Sequence, residues 1–155
     1  MVIRKGKEMD IVKFKPLNQF ATLPSYKHEG DAGMDVASVE CVTIPPHGRA
    51  TIPTGLACEM PQGYEMQVRP RSGLSSRGIV AMFGTVDNGY RGEIGVTVMN
   101  FTDEPYAIGV GDRIAQLVVA PITRMRPSWG KVSSDTERGD GGFGSTGKGA
   151  EDDHE

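Results

Sequence analysis

The sequence predicts an all-β protein, a sandwich or barrel of jelly-roll type, followed by a flexible glycine-rich C-terminal arm. The first observation behind this is punctuation. The chain carries 21 glycines and 10 prolines in 155 residues, and the longest stretch free of both runs only from Met34 to Ile44. That stretch is about as long as one average helix, but its β-branched residues make it read as strand and turn. The second observation is that short extended segments alternate with turn signals at short intervals, the spacing of sandwiches and barrels. The third is a change of composition near Trp129, after which the chain is polar and glycine-rich with an acidic tip. We therefore expect an N-terminal extension at 1–10, one β-barrel domain at 11–129 and an arm at 130–155. A chain of this length can bury a sizeable core in a single domain.

Taken in order, the extended segments are Ile11–Lys15, Cys41–Ile44, Arg49–Ile52, Leu56–Glu59, Tyr64–Arg69, Ile79–Met82, Ile94–Asn100 and Arg113–Ala120. Pro45-Pro46-His47-Gly48, Pro61-Gln62-Gly63 and Asp87-Asn88-Gly89 supply turns between them. Only Ser72–Arg77 has the makings of a turn or two of helix. No internal repeat is present.

Composition removes several classes of function. A net charge of −3 is the wrong sign for a surface that coats nucleic acid, so no direct nucleic-acid binding is expected. No apolar run is long enough for a membrane span or a signal-peptide core, which points to a cytoplasmic protein without a membrane partner, with the nucleus a second option if the source is eukaryotic. Cys41 and Cys58 lack a C-x-x-C pattern and fall in apolar strand-like runs, so both are expected as buried free thiols. His28, His47 and His154 lie near no metal-binding spacing, which argues against a zinc site.

The chemistry begins in the arm. Residues 138–147 read Arg-Gly-Asp-Gly-Gly-Phe-Gly-Ser-Thr-Gly. Bare backbone N–H groups with Arg138, Ser145 and Thr146 suit phosphate oxygens, and Phe143 offers a face to a flat base. The same composition also fits a plain tail. Gly142-Phe-Gly144-Ser-Thr-Gly147 matches the dinucleotide fingerprint, and Gly142 to Lys148 nearly matches a P-loop. Both need a helix after them, for which the eight residues beyond Gly147 leave no room.

Asp87-Asn88-Gly89-Tyr90 reads as a hairpin with a two-residue type I′ turn. Its flanking residues would then face each other across the ladder, aiming a carboxylate and an aromatic ring at one place. A plain surface hairpin fits these four residues as well. Pro70-Arg71-Ser72-Gly73-Leu74 follows a strand and opens the helical turn, where free N–H groups bind anions; a Ser72 cap with a solvated arginine is the alternative. Asp31-Ala-Gly-Met-Asp35 brings two carboxylates beside a glycine. In Gly111–Leu117, alternation puts Gln116 on the face opposite Ala115 and Leu117.

Together these segments, at 31–38, 69–79, 84–96, 111–119 and 138–147, resemble in order the five motifs of the trimeric dUTPase family. The resemblance covers residues 11–147. It implies a distorted jelly-roll subunit, a homotrimer with active sites shared at subunit boundaries, and Mg²⁺-dependent hydrolysis of dUTP to dUMP and pyrophosphate. Such a reaction limits uracil incorporation into DNA and supplies dUMP for dTMP synthesis. Carried over by motif, Asp87 is the general base for water attacking the α-phosphorus. Tyr90 packs on the deoxyribose, and the backbone at Gly84, Val86 and Gly95 reads the uracil edge. Arg71, Ser72 and Gly73 hold phosphates. Gln116 binds the phosphate region or metal-bound water, and Asp35 orients Mg²⁺ through water. Phe143 stacks on the uracil, with Arg138, Gly144, Ser145 and Thr146 around the phosphate tail.

Two departures stand out. The run Ser75-Ser76-Arg77-Gly78 is about one residue shorter than the common form, and Asn88-Gly89 replaces a stretch that carries an acidic residue in many relatives. A dCTP deaminase shares the fold, but Asp87-x-x-Tyr90 and the Phe143 arm fit it less well; ammonia release from dCTP would separate the two.

Overall fold

A computed structural model describes residues 10–142. The elements run β1 (Lys13–Pro16), β2 (Met34–Ala37), β3 (Val42–Ile44), β4 (Arg49–Pro53), β5 (Leu56–Glu59), β6 (Tyr64–Arg69), α1 (Ser72–Ser75), β7 (Ile79–Ala81), β8 (Gly84–Val86), β9 (Gly95–Asn100), β10 (Tyr106–Ile108) and β11 (Arg113–Pro121). The fold is therefore all-β with one helical turn, as the even spread of glycine and proline requires. Every expected extended segment holds a strand. Three strands were not individually foreseen. β2 is the strand half of the Met34–Ile44 stretch, while β8 and β10 are too short to show an alternation of their own.

All strand pairs are antiparallel. One sheet has the order β2-β11-β6-β8 and a second β4-β9-β7, and two-stranded ribbons pair β1 with β5 and β10 with β3. Alternation places the core between them. In β9, Val96, Val98 and Asn100 are buried while Thr97 and Met99 are half-exposed. Ile44, Ile52, Met66, Ile79, Ile94, Ile114 and Leu117 are each 1% exposed or less. Fully burying such a side chain is worth roughly 1.5–3 kcal/mol.

The buried amide of Asn100 is satisfied on both sides, as a polar group in a core must be. Its Nδ2 lies 3.1 Å from Ile44 O and 2.7 Å from Glu104 O, and its Oδ1 accepts from Thr102 N–H at 2.9 Å. It thereby joins the turn after β3 to the turn after β9. Cys58 is buried as expected, but Cys41 is exposed. It lies between the bend at Val39–Glu40 and β3, outside the alternating part of the run, so the apolar character around it did not put it inside.

The first compact unit ends at Thr123, and Arg124 begins a second. Within the second unit, Arg138 Nε donates to Gly141 O at 3.0 Å, and Gly139 takes a left-handed φ of 54°. Among the described residues no helix is long and apolar enough to cross a membrane.

Candidate active site

The turn Asp87-Asn88-Gly89-Tyr90 forms, closed by a 3.0 Å bond from Tyr90 N–H to Asp87 O. It is not the expected type I′ hairpin. That turn needs positive φ at both central residues, and neither Asn88 nor Gly89 has one. The reason is topological. β8, which enters the turn, pairs with β6, whereas β9, which leaves it, pairs with β4 and β7. The segment turns a corner between two sheets, so it need not match the twist of a two-stranded ribbon. Asn88 anchors the corner instead, donating from Nδ2 to Pro61 O at 2.7 Å and to Tyr64 O at 2.9 Å.

Asp87 and Tyr90 thus do not face each other across a ladder, yet they still line one cleft. This cleft, of about 220 Å³, is walled by Val68 of β6 and by Gly84, Thr85 and Val86 of β8; Glu93, Ile94 and Gly95 close the far side. Asp87 is exposed at its edge. The β8 backbone comes close to β6 at Gly84, where a Cβ would sit 3.4 Å from Val68 Cβ. Polar backbone atoms rather than long side chains therefore present themselves at Gly84 and Gly95. Tyr90 Oη donates to Glu93 O at 3.0 Å, and its ring lies so close on Gly92 that a Cβ there would come within 2.6 Å of Cζ.

Beyond Val68 the chain runs through Arg69 and Pro70 to Arg71, which at ~3.3 Å per extended residue is about 10 Å away. Here a second group of polar side chains assembles. β11 lies between β2 and β6, so its Gln116 registers with Asp35 on one side and Arg69 on the other. Gln116 is half-exposed between the fully buried Ala115 and Leu117, on the face that alternation assigns to it. Its Nε2 donates to Pro70 O at 2.9 Å, and its carboxamide fills the space a Cβ on Gly33 would need. Asp35 sits between two guanidinium groups, its Oδ1 3.0 Å from Arg71 Nε and its Oδ2 3.1 Å from Arg113 Nη1. Arg71 Nη1 also donates to Arg113 O at 2.9 Å. The planar fork of Arg71 is held on two edges, as suits an arginine aimed at an oxyanion.

Arg71 itself is the N-cap residue of α1, extended at φ −99° and ψ 130°, with no side-chain capping bond. Ser72 is therefore the first helical residue and not a cap, which leaves its hydroxyl for other partners. Ser72 and Gly73 are exposed, at the helix start where N–H groups lack intrahelical acceptors.

Arg138 belongs to the second unit; Phe143, Gly144, Ser145 and Thr146 lie outside the described residues. Among the described residues no three His, Cys, Asp or Glu side chains cluster as a metal cage. A direct metal bond to Asp35 would compete with both of its arginines. The donor set instead fits Mg²⁺ held mainly by a ligand's phosphates with its waters retained, the usual manner of this ion.

The structure adds residues that motif reading did not single out. Arg113 pairs with Asp35 across the β2–β11 register, and Asn88 holds the corner through carbonyls distant in sequence. Val68, Thr85, Glu93 and Ile94 complete the cleft. Glu93 and Arg113 lie within segments that carried the resemblance, but their partners come from other strands and leave no local signal.

A family model for dUTPase matches residues 19–147. The deoxyuridine 5'-triphosphate nucleotidohydrolase of a Picosynechococcus species is 48% identical over 134 residues, 84% of this chain and 94% of that protein. That of Nautilia profundicola is 49% identical over 140 residues, covering 88% and 99%. Among solved structures, a variant dUTPase of Staphylococcus bacteriophage 80alpha with dUpNHpp superposes with a TM-score of 0.82 at 32% identity, over 90% of this chain and 100% of that one. A variant dUTPase of the S. aureus phage phi11, described as coordinating a structural Mg(II) ion, superposes with a TM-score of 0.71 at 29% identity, over 83% and 99%. With the family model matching residues 19–147, and identities near one half over nearly all of each relative, this chain belongs to the dUTPase family.

Proposed function

We propose that the protein hydrolyses dUTP to dUMP and pyrophosphate. The observation that carries this reading is that two groups of candidate site residues assemble at the same end of β6. A cleft edged by the Asp87 carboxylate and walled by Tyr90 lies beside Val68, and the Arg71–Asp35–Arg113 group follows at the end of the same strand.

In the proposed mechanism the backbone at Gly84, Val86 and Gly95 pairs with the polar edge of uracil. Cytosine presents a donor where uracil presents an acceptor, so a fixed backbone rejects it; a tight wall excludes the thymine methyl. The Tyr90 ring packs on the deoxyribose and leaves no room for a 2′-hydroxyl. Arg71, the Ser72 hydroxyl and the Gly73 backbone hold phosphate oxygens, with Gln116 beside them. Asp87 takes the proton of the water that attacks the α-phosphorus, a role worth roughly 10²–10⁴ in rate for a positioned base. Asp35, paired to Arg71 and Arg113, would hold Mg²⁺ through water, and the ion would supply neutralisation of the triphosphate's charge.

The arm residues Arg138, Phe143, Gly144, Ser145 and Thr146 complete the site as a clamp on base and phosphates. In a homotrimer, that clamp comes from a different subunit than the Asp87 corner. The product dUMP and the removal of dUTP serve thymidylate supply and the exclusion of uracil from DNA, in the cytoplasm, with no nucleic acid or membrane as direct partner.

The test is pyrophosphate release measured across all the deoxynucleoside and ribonucleoside triphosphates with and without Mg²⁺. A site that pairs a base's polar edge discriminates strongly because the wrong base leaves buried groups unpaired, so dUTP should exceed dCTP, dTTP and UTP by at least about a hundredfold. Comparable rates on UTP would remove the role given to Tyr90.

A further inference from the structure

We propose that Glu93 is a positioning residue for the sugar wall, fixing the Tyr90 ring through a clasp on the turn between β4 and β5 and thereby setting discrimination against ribonucleotides. The inference rests on the reading of Tyr90 as the wall against a 2′-hydroxyl and assigns the residue that holds it in place.

Tyr90 is 47% exposed and lines the cleft, so the position of its ring must be imposed by the groups it packs on. Two contacts do so. The ring lies on the bare backbone of Gly92, and Oη donates to the carbonyl of Glu93 at 3.0 Å. Those two residues are in turn fastened to a rigid point. Glu93 Oε1 accepts the N–H of Gly55 at 2.8 Å. The neighbouring Thr54 hydroxyl donates to Ile94 O at 2.6 Å, and Ile94 N–H donates to Leu56 O at 2.8 Å.

The Thr54–Gly55 turn can bear this load because it is itself immobilised. Thr54 is 1% exposed. Gly55 has a φ of 66°, and a Cβ there would meet Asn18 Cβ at 2.9 Å and Val39 Cγ1 at 3.0 Å. Its carbonyl accepts from Leu17 N–H at 2.7 Å. Glu93 supplies a charged acceptor, the stronger kind of hydrogen bond, to an N–H that strand pairing leaves free. A binding wall is only as selective as the groups that support it are fixed.

The experiment compares kcat/KM for dUTP and UTP in the wild type and in four variants of the full-length protein. Glu93→Ala removes the clasp; the ratio of dUTP to UTP should fall at least about tenfold, because loosening a wall by a fraction of an ångström readmits the excluded group. The fall should come from a gain on UTP, in its KM, with kcat on dUTP less affected. Glu93→Gln keeps an acceptor at Oε1 without the charge, a weaker bond, and should give a ratio between those of the wild type and Glu93→Ala. Thr54→Val breaks the companion bond to Ile94 and should lower the ratio as well, which preserves the test if Glu93→Ala does not fold. Ile44→Val trims the core at β3, which pairs with β10 and not with the clasp strands, and should leave the ratio unchanged. The inference is overturned if Glu93→Ala or Thr54→Val, once folded, retains the wild-type ratio. It is equally overturned if Ile44→Val lowers the ratio as much, or if Glu93→Gln lowers it as far as Glu93→Ala does. A wild type that does not separate dUTP from UTP would instead overturn the reading of Tyr90 itself.

Discussion

Replacing Asn88 by alanine tests the account of the corner on which Asp87 stands. The side chain makes two hydrogen bonds, to the carbonyls of Pro61 and Tyr64 at 2.7 and 2.9 Å, and is half-buried. A net protein hydrogen bond is worth about 0.5–1.5 kcal/mol. Water can partly reach the two freed carbonyls, which places the loss toward the lower half of the summed range, about 1–2 kcal/mol. In a domain of this size each kcal/mol moves Tm by about 2–4 °C, so Asn88→Ala should melt roughly 2–8 °C lower. The assay is thermal unfolding at matched protein concentration, since assembly raises apparent stability by mass action, paired with steady-state kinetics on dUTP. Because Asp87 is the adjacent residue, kcat should fall about tenfold or more as the base loses its placement. Gly89→Ala provides the complementary arm. Gly89 has no positive φ and an added Cβ would meet nothing within 4 Å, so this variant should be neutral or more stable by about 0.4–1 kcal/mol. In a type I′ turn the same change would cost about 1–2 kcal/mol. A stable Asn88→Ala together with a destabilised Gly89→Ala would refute the corner and restore the hairpin.

Asp87→Asn should lower kcat by about 10² or more with little change in nucleotide affinity, since the carboxylate acts mainly in the transition state; single-turnover kinetics with a binding isotherm checks this, and a retained kcat would point to another base. Co-refolding Asp87→Asn with a chain truncated after Glu137 tests the shared site. About three quarters of random 1:1 rings are mixed and one site in three is then complete, so activity should recover to roughly a quarter of wild type; confirmed mixed trimers without activity would place arm and base in one chain. Cys41 is exposed, whereas burial pushes the Cys58 thiol up against a weaker opposing pull from Arg91. Thiolate is the reactive form, so at mildly alkaline pH a thiol reagent should modify Cys41 in the native protein and Cys58 only after unfolding, as mass spectrometry of the peptides would show.

The sequence by itself determined what local chemistry decides. Glycine and proline at short intervals forbid long helices, and alternation within Tyr64–Arg69, Ile94–Asn100 and Arg113–Ala120 assigns strands and the face that Gln116 occupies. The order of five segments was enough to indicate the family. Tertiary structure decided whatever depends on which strands become neighbours. Asn-Gly signals a hairpin only if its flanking strands pair, and here β8 went to β6 while β9 went to β4 and β7, so the turn became a corner pinned by the Asn88 side chain. Asp35 reads in sequence as half of an acidic pair; the β2–β11 register and the end of β6 set it between Arg113 and Arg71 instead. Glu93 finds Gly55, and Cys41 finds solvent, for the same reason. Propensity and periodicity act over a few residues and fix the existence of an element, whereas partner choice is set by closing the core, where contacts far apart in sequence are formed together or not at all.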